Sequence, residues 1–175
     1  MTAEGAQKVR RFFEFCDLFH LPILSFVDEP GFMIGAAAEQ AATIRHGMTA
    51  MFAALQTRVP WFVVLVRKSF GVAQGIHLGP APTVVAWPSA ESCALPVESG
   101  VALAYRREIE AAADPDTRRR ELEEEMAAAQ SAFPRAEDFG VHDLIDPRET
   151  RGTICGWIEA IQPQLQLLAR EGPPS

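Results

Sequence analysis

With 175 residues and a net charge of −7, the chain is long enough for one cored domain, and its scattered basic residues leave no nucleic-acid footprint. Hydrophobic residues make up 48% and charged residues 22%, a globular balance without the run of about 20 apolar residues that a membrane span needs. Four histidines and three cysteines lack the spacing of a zinc site, so no metal is expected, and Cys16, Cys93 and Cys155 read as free, reduced and mostly buried. The polar N-terminal stretch runs into a helix without an apolar signal segment, so the expected location is cytoplasmic.

Val9, Phe12, Phe13, Cys16 and Phe19 recur at helical spacing and predict a helix over 7–19 with its aromatic side on the core. Pro22 follows, and residues 23–27 read as a short strand running into Asp28-Glu29-Pro30-Gly31-Phe32. Ile44, Met48, Met51, Phe52 and Leu55 share one side of a longer helix, with the methionines as core filler. Residues 62–66 form a continuous apolar run rich in β-branched side chains, as expected for a strand buried on both faces of a parallel sheet. Arg67 and Lys68 close that strand in this reading. Gly71 then turns the chain into a short helical piece through Leu78, and residues 83–87 read as a third strand.

After Pro88 the pattern is helical. Val101, Tyr105 and Ile109 mark one helix; Asp114-Pro115 opens the next, whose charged run places Arg119/Glu123 and Arg120/Glu124 one turn apart. Phe133, Phe139 and Val141 read as a return to the core, and Leu144-Ile145 as a last short strand. Asp146-Pro147-Arg148-Glu149 has the form of a capping box, opening a terminal helix with Ile154, Trp157, Ile158 and Ile161; residues 172–175 read as frayed. The alternation predicts an α/β fold with a mainly parallel sheet, flanking helices and a helical C-terminal part.

No nucleophile with a nearby base, phosphate-binding loop or dinucleotide fingerprint can be read from the residues. What remains is backbone chemistry at the ends of the two strands, the usual place for a site in an open α/β sheet. Amides near Gly71, Val72 and Ala73 can form an oxyanion site at a helix start, although a plain strand-to-helix turn with an ordinary glycine is the commoner reading of this stretch alone. Asp28 and Glu29 can act as acid or base, or cap the loop that follows them, which is the commoner use of such carboxylates.

The segments Phe-Cys-Asp-Leu-Phe-His-Leu-Pro-Ile-Leu-Ser-Phe-Val-Asp-Glu-Pro-Gly-Phe (15–32), Ile-Arg-His-Gly (44–47) and Arg-Lys-Ser-Phe-Gly-Val-Ala (67–73) stand in a telling order. They are followed by Ala-Trp-Pro-Ser-Ala-Glu (86–91), Tyr-Arg-Arg-Glu-Ile (105–109) and Asp-Leu-Ile-Asp-Pro-Arg-Glu-Thr-Arg (143–151). Together they resemble the carboxyltransferase β-subunits of biotin-dependent acyl-CoA carboxylases. The resemblance covers nearly the whole chain and only the C-terminal half of those subunits. It implies a crotonase-like (ClpP/crotonase) fold and a single domain over 1–175 that receives carboxybiotin, with the N-terminal, acyl-CoA-binding half absent.

In that family the carboxyl group leaves biotin held on a separate carrier domain or subunit, and backbone amides hold the charge on the ureido oxygen. By motif those amides fall on Val72 and Ala73, after Gly71, while Pro30, Gly31 and Phe32 line the biotin pocket. The family's Gly-Gly-Ala-Tyr-Asp stands here as Gly71-Val72-Ala73-Gln74-Gly75. Its Asp is associated with acyl-chain selection, so Gly75 is the expected selectivity position and leaves the substrate open. The implied partners are the N-terminal half, a biotin carboxylase and carrier subunit, an acyl-CoA and further copies of the chain, without nucleic acid or membrane. An active carboxyltransferase piece is the leading reading. A catalytically silent interaction subunit or truncated fragment is the alternative, and a free-standing crotonase-like hydratase or decarboxylase is a third.

Overall fold

A computed structural model describes residues 1–171; the expectation for residues 172–175 lies outside the described residues. Helix α1 (Ala3–Leu18) starts earlier than its apolar spacing suggests, because Thr2 caps it by accepting from the Gly5 N–H at 3.0 Å. Its core side is narrow. Phe13 and Cys16 are buried, with Phe13 against Trp61 at 4.8 Å, whereas Phe12 and Phe19 are exposed, contrary to the expectation of a fully buried aromatic side.

After strand β1 (Ile23–Glu29) come helices α2 (Ala36–Gln40) and α3 (Thr43–Gln56). Helix α3 turns Gly47, Ala50 and Ala54 inward, and these small residues let neighbouring elements approach closely. A β-carbon at Gly47 would lie 2.3 Å from the Phe32 ring, so only glycine fits there. Ile44, Met48, Phe52 and Leu55 are exposed instead and only Met51 joins the core, which corrects the expected face of this helix.

Strand β2 (Trp61–Phe70) is the axis of the sheet. Trp61 through Leu65 are buried, paired with β1 from Ile23↔Trp61 to Val27↔Leu65 and with β3 (Thr83–Ala86) from Phe62↔Thr83 to Leu65↔Ala86. Burial of these five side chains on both faces explains their unbroken apolar character. Arg67 and Lys68 do not end the strand. The next β1–β2 pair is Glu29↔Ser69, so Asp28 alone faces Val66, Arg67 and Lys68 across a bulge. The Asp28 carboxylate accepts from the Lys68 N–H at 3.1 Å and from Arg67 Nη2 at 2.9 Å, which lets charged residues occupy a strand interior.

Past the bulge the far edge of β2 changes partner, pairing Lys68↔Glu91 to Phe70↔Cys93 with β4 (Glu91–Cys93). This strand corrects the expectation that the chain is helical from Pro88 until a last short strand at Leu144-Ile145. β5 (Asp143–Leu144) pairs with β3, giving the order β1-β2-β3-β5, with β4 on β2 beyond the bulge and the pairings between these strands all parallel; an isolated antiparallel bridge joins Glu91 to Ser131.

The helix expected around Val101 and Ile109 is two, α4 (Val97–Ala104) and α5 (Arg106–Ala111), broken at Tyr105 with φ −115° and ψ 15°. Asp114 caps α6 (Pro115–Gln130) through the Thr117 N–H, and the ion pairs of its charged run centre on Arg118 with Glu108 and Glu121. Helix α7 (Ala132–Glu137) follows. Val141 returns to the core as expected, but Phe133 and Phe139 do not, being 56% and 93% exposed. The Asp146–Glu149 capping box opens a short turn that leads into α8 (Thr150–Ala160) and α9 (Gln162–Glu171), and Trp157 lies on Phe62 at 5.2 Å. Cys16 is buried; Cys93 and Cys155 are exposed, against expectation.

Candidate active site

The candidate site begins where β2 ends. Gly71 has φ 63° and ψ −160°, a conformation essentially reserved for glycine, and its N–H donates to the Cys93 carbonyl at 3.0 Å. One of the three expected donors is therefore engaged with β4. The chain then winds into a 3-10 turn, Val72–His77, rather than an α-helix. The first N–H groups of such a turn have no partner inside it, and among the described residues neither Val72 nor Ala73 donates to a carbonyl outside it. Val72 is exposed and Ala73 is fully buried.

Gly71, Val72 and Gln74 form one wall of a cleft of about 730 Å³, with Ser92, Cys93 and Leu95 around β4 and Arg135 on α7 among its other walls. Gln74 fastens this turn to both neighbouring strands: its Oε1 accepts from Ser69 Oγ at 3.2 Å and Ser92 Oγ at 3.3 Å. Two hydroxyls on one amide oxygen fix the turn laterally while its first amides stay uncommitted.

The β1 end is arranged differently. Glu29 is buried and accepts from the Gly31 N–H at 3.1 Å and the Met1 amino group at 2.8 Å, with His77 Nε2 at 3.6 Å. Burial pushes its carboxyl up, but His77, the amino group and the Gly31 N–H together draw it below the usual range. Arg67 likewise holds Asp28 low. Both carboxylates are occupied in binding their own chain: Glu29 caps the loop that follows it through the Gly31 N–H, whereas Asp28 reaches across to Arg67 and Lys68 of β2 instead.

Of the expected biotin-pocket residues, Pro30 is exposed and Gly31 has φ 130°, while the Phe32 ring is spent on Gly47. None of the three lines the cleft at Val72, so the structure brings the 71–74 residues together and leaves 30–32 at the neighbouring strand end. A β-carbon at Gly75 would meet Met51 Sδ at 3.4 Å, so this position faces α3. Ser92, Gln74 and Arg135 are cleft residues that the sequence reasoning did not identify. β4 is three residues without alternation, and α7 has no marked apolar face. Among the described residues no group of three or more His, Cys, Asp or Glu is placed to hold a metal ion.

The carboxyl transferase domain profile matches residues 1–170. The chain belongs to this family. It is 42% identical over 159 residues to the propionyl-CoA carboxylase carboxyltransferase subunit of Haloferax mediterranei, covering 88% of this chain and 31% of that protein. It is 37% identical over 164 residues to the methylmalonyl-CoA carboxyltransferase 12S subunit of Propionibacterium freudenreichii, covering 91% and 31%. Among solved structures, the transcarboxylase 12S hexamer with methylmalonyl-coenzyme A bound superimposes with a TM-score of 0.86 at 34% identity, over 92% of this chain and 32% of that one. The fold is thus the crotonase-like one of the carboxyltransferases. The chain spans about a third of the length of the curated relatives it matches.

Proposed function

We propose that this chain, as one domain over 1–175, is the carboxybiotin-receiving half of an acyl-CoA carboxyltransferase. The carrying observation is the turn after β2, where Val72 lines a cleft and, among the described residues, neither the Val72 nor the Ala73 amide donates to a carbonyl outside the turn. The cleft suits a ureido ring. It is of small-ligand size, has Gly71, Val72 and Gln74 of the turn in its lining, and places the apolar Val72, Ala94 and Leu95 around the space.

Biotin on a separate carrier, when bound, supplies the carboxyl group and, once relieved of it, a base for the acyl-CoA α-proton. The chain's part is electrostatic. The Val72 and Ala73 amides would hold the ureido oxygen and stabilise negative charge there, each contributing roughly 3–4 kcal/mol as single oxyanion donors do elsewhere. Gly71 sets their direction by a conformation that other residues resist, and Gln74 keeps the turn from sliding. Pro30, Gly31 and Phe32, outside this cleft at the end of β1, would bound the biotin pocket from that side, as the family resemblance implies. Gly75, facing Met51, sets the acyl preference from the α3 side.

The acyl-CoA and its thioester charge are handled by a complementary N-terminal half, and a biotin carboxylase with its carrier completes the assembly in the cytoplasm. Phe12, Phe15 and Phe19 on α1, Leu24 and Phe26 on β1, and Phe52 on α3 are all exposed, an apolar surface of the kind that partners cover. No helix among the described residues is long and apolar enough to cross a membrane. Isolated chain is expected to self-associate in light scattering; a monodisperse monomer contradicts this. Mixed with a matching N-terminal half, it is expected to decarboxylate malonyl-CoA or methylmalonyl-CoA in a biotin-dependent way. A folded mixture without turnover overturns the proposal in favour of a silent interaction subunit.

A further inference from the structure

We propose that Arg135 makes the cleft beside Val72 a carboxylate-binding site. Arg135 is on α7 and shares the cleft lining with Gly71, Val72 and Gln74 of the turn after β2. Its Nε is buried without an acceptor, and no carboxylate of the described residues pairs with its guanidinium. The occluded Nε is not itself the contact; an arginine that lines a cleft with no carboxylate bound to it can take an anion through its terminal donors.

The side chain is also seated. A β-carbon at Gly140 would lie 3.0 Å from Arg135 Cγ and Nε, so the stem passes through room that glycine leaves, and the Gly140 N–H is bonded to the Arg135 carbonyl at 2.8 Å. A guanidinium so placed loses little freedom on binding and presents the planar donors that match a carboxylate. Asp138 is the other charged residue of the cleft. It opposes an anion and limits affinity, as suits a group that must arrive and leave. The identity of the anion, the carboxyl group in transfer, rests on the proposed function; the binding itself does not. Arg135 would hold that group while the Val72 and Ala73 amides meet the ureido oxygen.

The test is a titration of the full isotope-labelled chain with malonate, and in parallel with inorganic phosphate, read by amide chemical shifts. Malonate is expected to give saturable shifts at Val72 and Gln74 and to bind more tightly than phosphate. Arg135→Gln weakens it at least tenfold with the spectrum otherwise native, Arg135→Lys keeps part of the affinity, and Asp138→Asn tightens it severalfold. The last variant gains binding, so a folding defect cannot imitate it. Absent malonate binding, equal binding by Arg135→Gln, weaker binding by Asp138→Asn, or phosphate bound as tightly as malonate each overturns the inference. If malonate binds through Arg135 while the reconstituted mixture is inactive, the proposed function fails and the site stands. A mixture active with Arg135→Gln at unchanged KM and kcat separates them the other way.

Discussion

The two halves of β2 are one strand with two kinds of neighbour. Trp61 to Leu65 are apolar, buried and paired on both edges in regular register, whereas Val66 to Phe70 carry two charges, a bulge and a change of partner from β3 to β4. The first half is built for stability. The second gives up regular pairing so that its end, Gly71, can be delivered at an angle that only glycine adopts, and the candidate amides come next in the chain. Stability and positioning are therefore separable along a single element, and substitutions should divide accordingly.

The largest stability effect belongs to the first half. Phe62→Ala, which empties a site packed against Trp157, is expected to cost about 3–5 kcal/mol in urea unfolding. A cost below about 1 kcal/mol, the size of a surface change, would break the distinction. Next is Gly71→Ala, where a side chain must adopt φ 63° and ψ −160° at a cost of about 1–3 kcal/mol in thermal unfolding. Carboxyltransfer in the reconstituted mixture is expected to fall by more than this strain accounts for, since the turn itself is re-aimed.

The smallest effect is at the bulge. Asp28→Asn is expected to cost no more than about 1 kcal/mol, because the Asp28–Arg67 pair is largely in water. Its pH dependence has a definite sign. Arg67 lowers the folded-state carboxyl below its unfolded value, so the stabilisation is complete above about pH 4 and is lost as pH falls through the folded value. Wild type and Asp28→Asn should converge in stability in acid and separate towards neutrality; a constant gap across that window would remove the ion pair from the account.

The same division governs what could be read before the structure. The β2 core was legible because doubly buried strands must be continuously apolar, and Gly71 because a sharp turn after such a run needs positive φ. Arg67 and Lys68 were misread as a stop because their acceptor, Asp28, is about 40 residues away in sequence and the bulge leaves no local signature. Glu91-Ser92-Cys93 is too short to show alternation, so β4 and the cleft wall it forms stayed hidden. The helices α1 and α3 were visible as helices, but both carry apolar residues on more than one side. Periodicity therefore could not tell that Gly47, Ala50 and Ala54 face inward while Phe12 and Phe52 face outward. Tyr105 breaks a helix without glycine or proline, and nothing in its neighbourhood announces the break.

The central claim concerns main-chain donors, and Val72→Pro addresses it directly. Proline is tolerated at the first position of a helical turn, and the Val72 N–H has no bond outside the turn to lose among the described residues, so the donor is removed while an apolar side chain stays at the cleft. In a mixture reconstituted with the N-terminal half, the biotin-dependent decarboxylation rate is predicted to fall about 100- to 1,000-fold with an unchanged unfolding transition. A folded Val72→Pro protein that turns over at the wild-type rate would contradict the account.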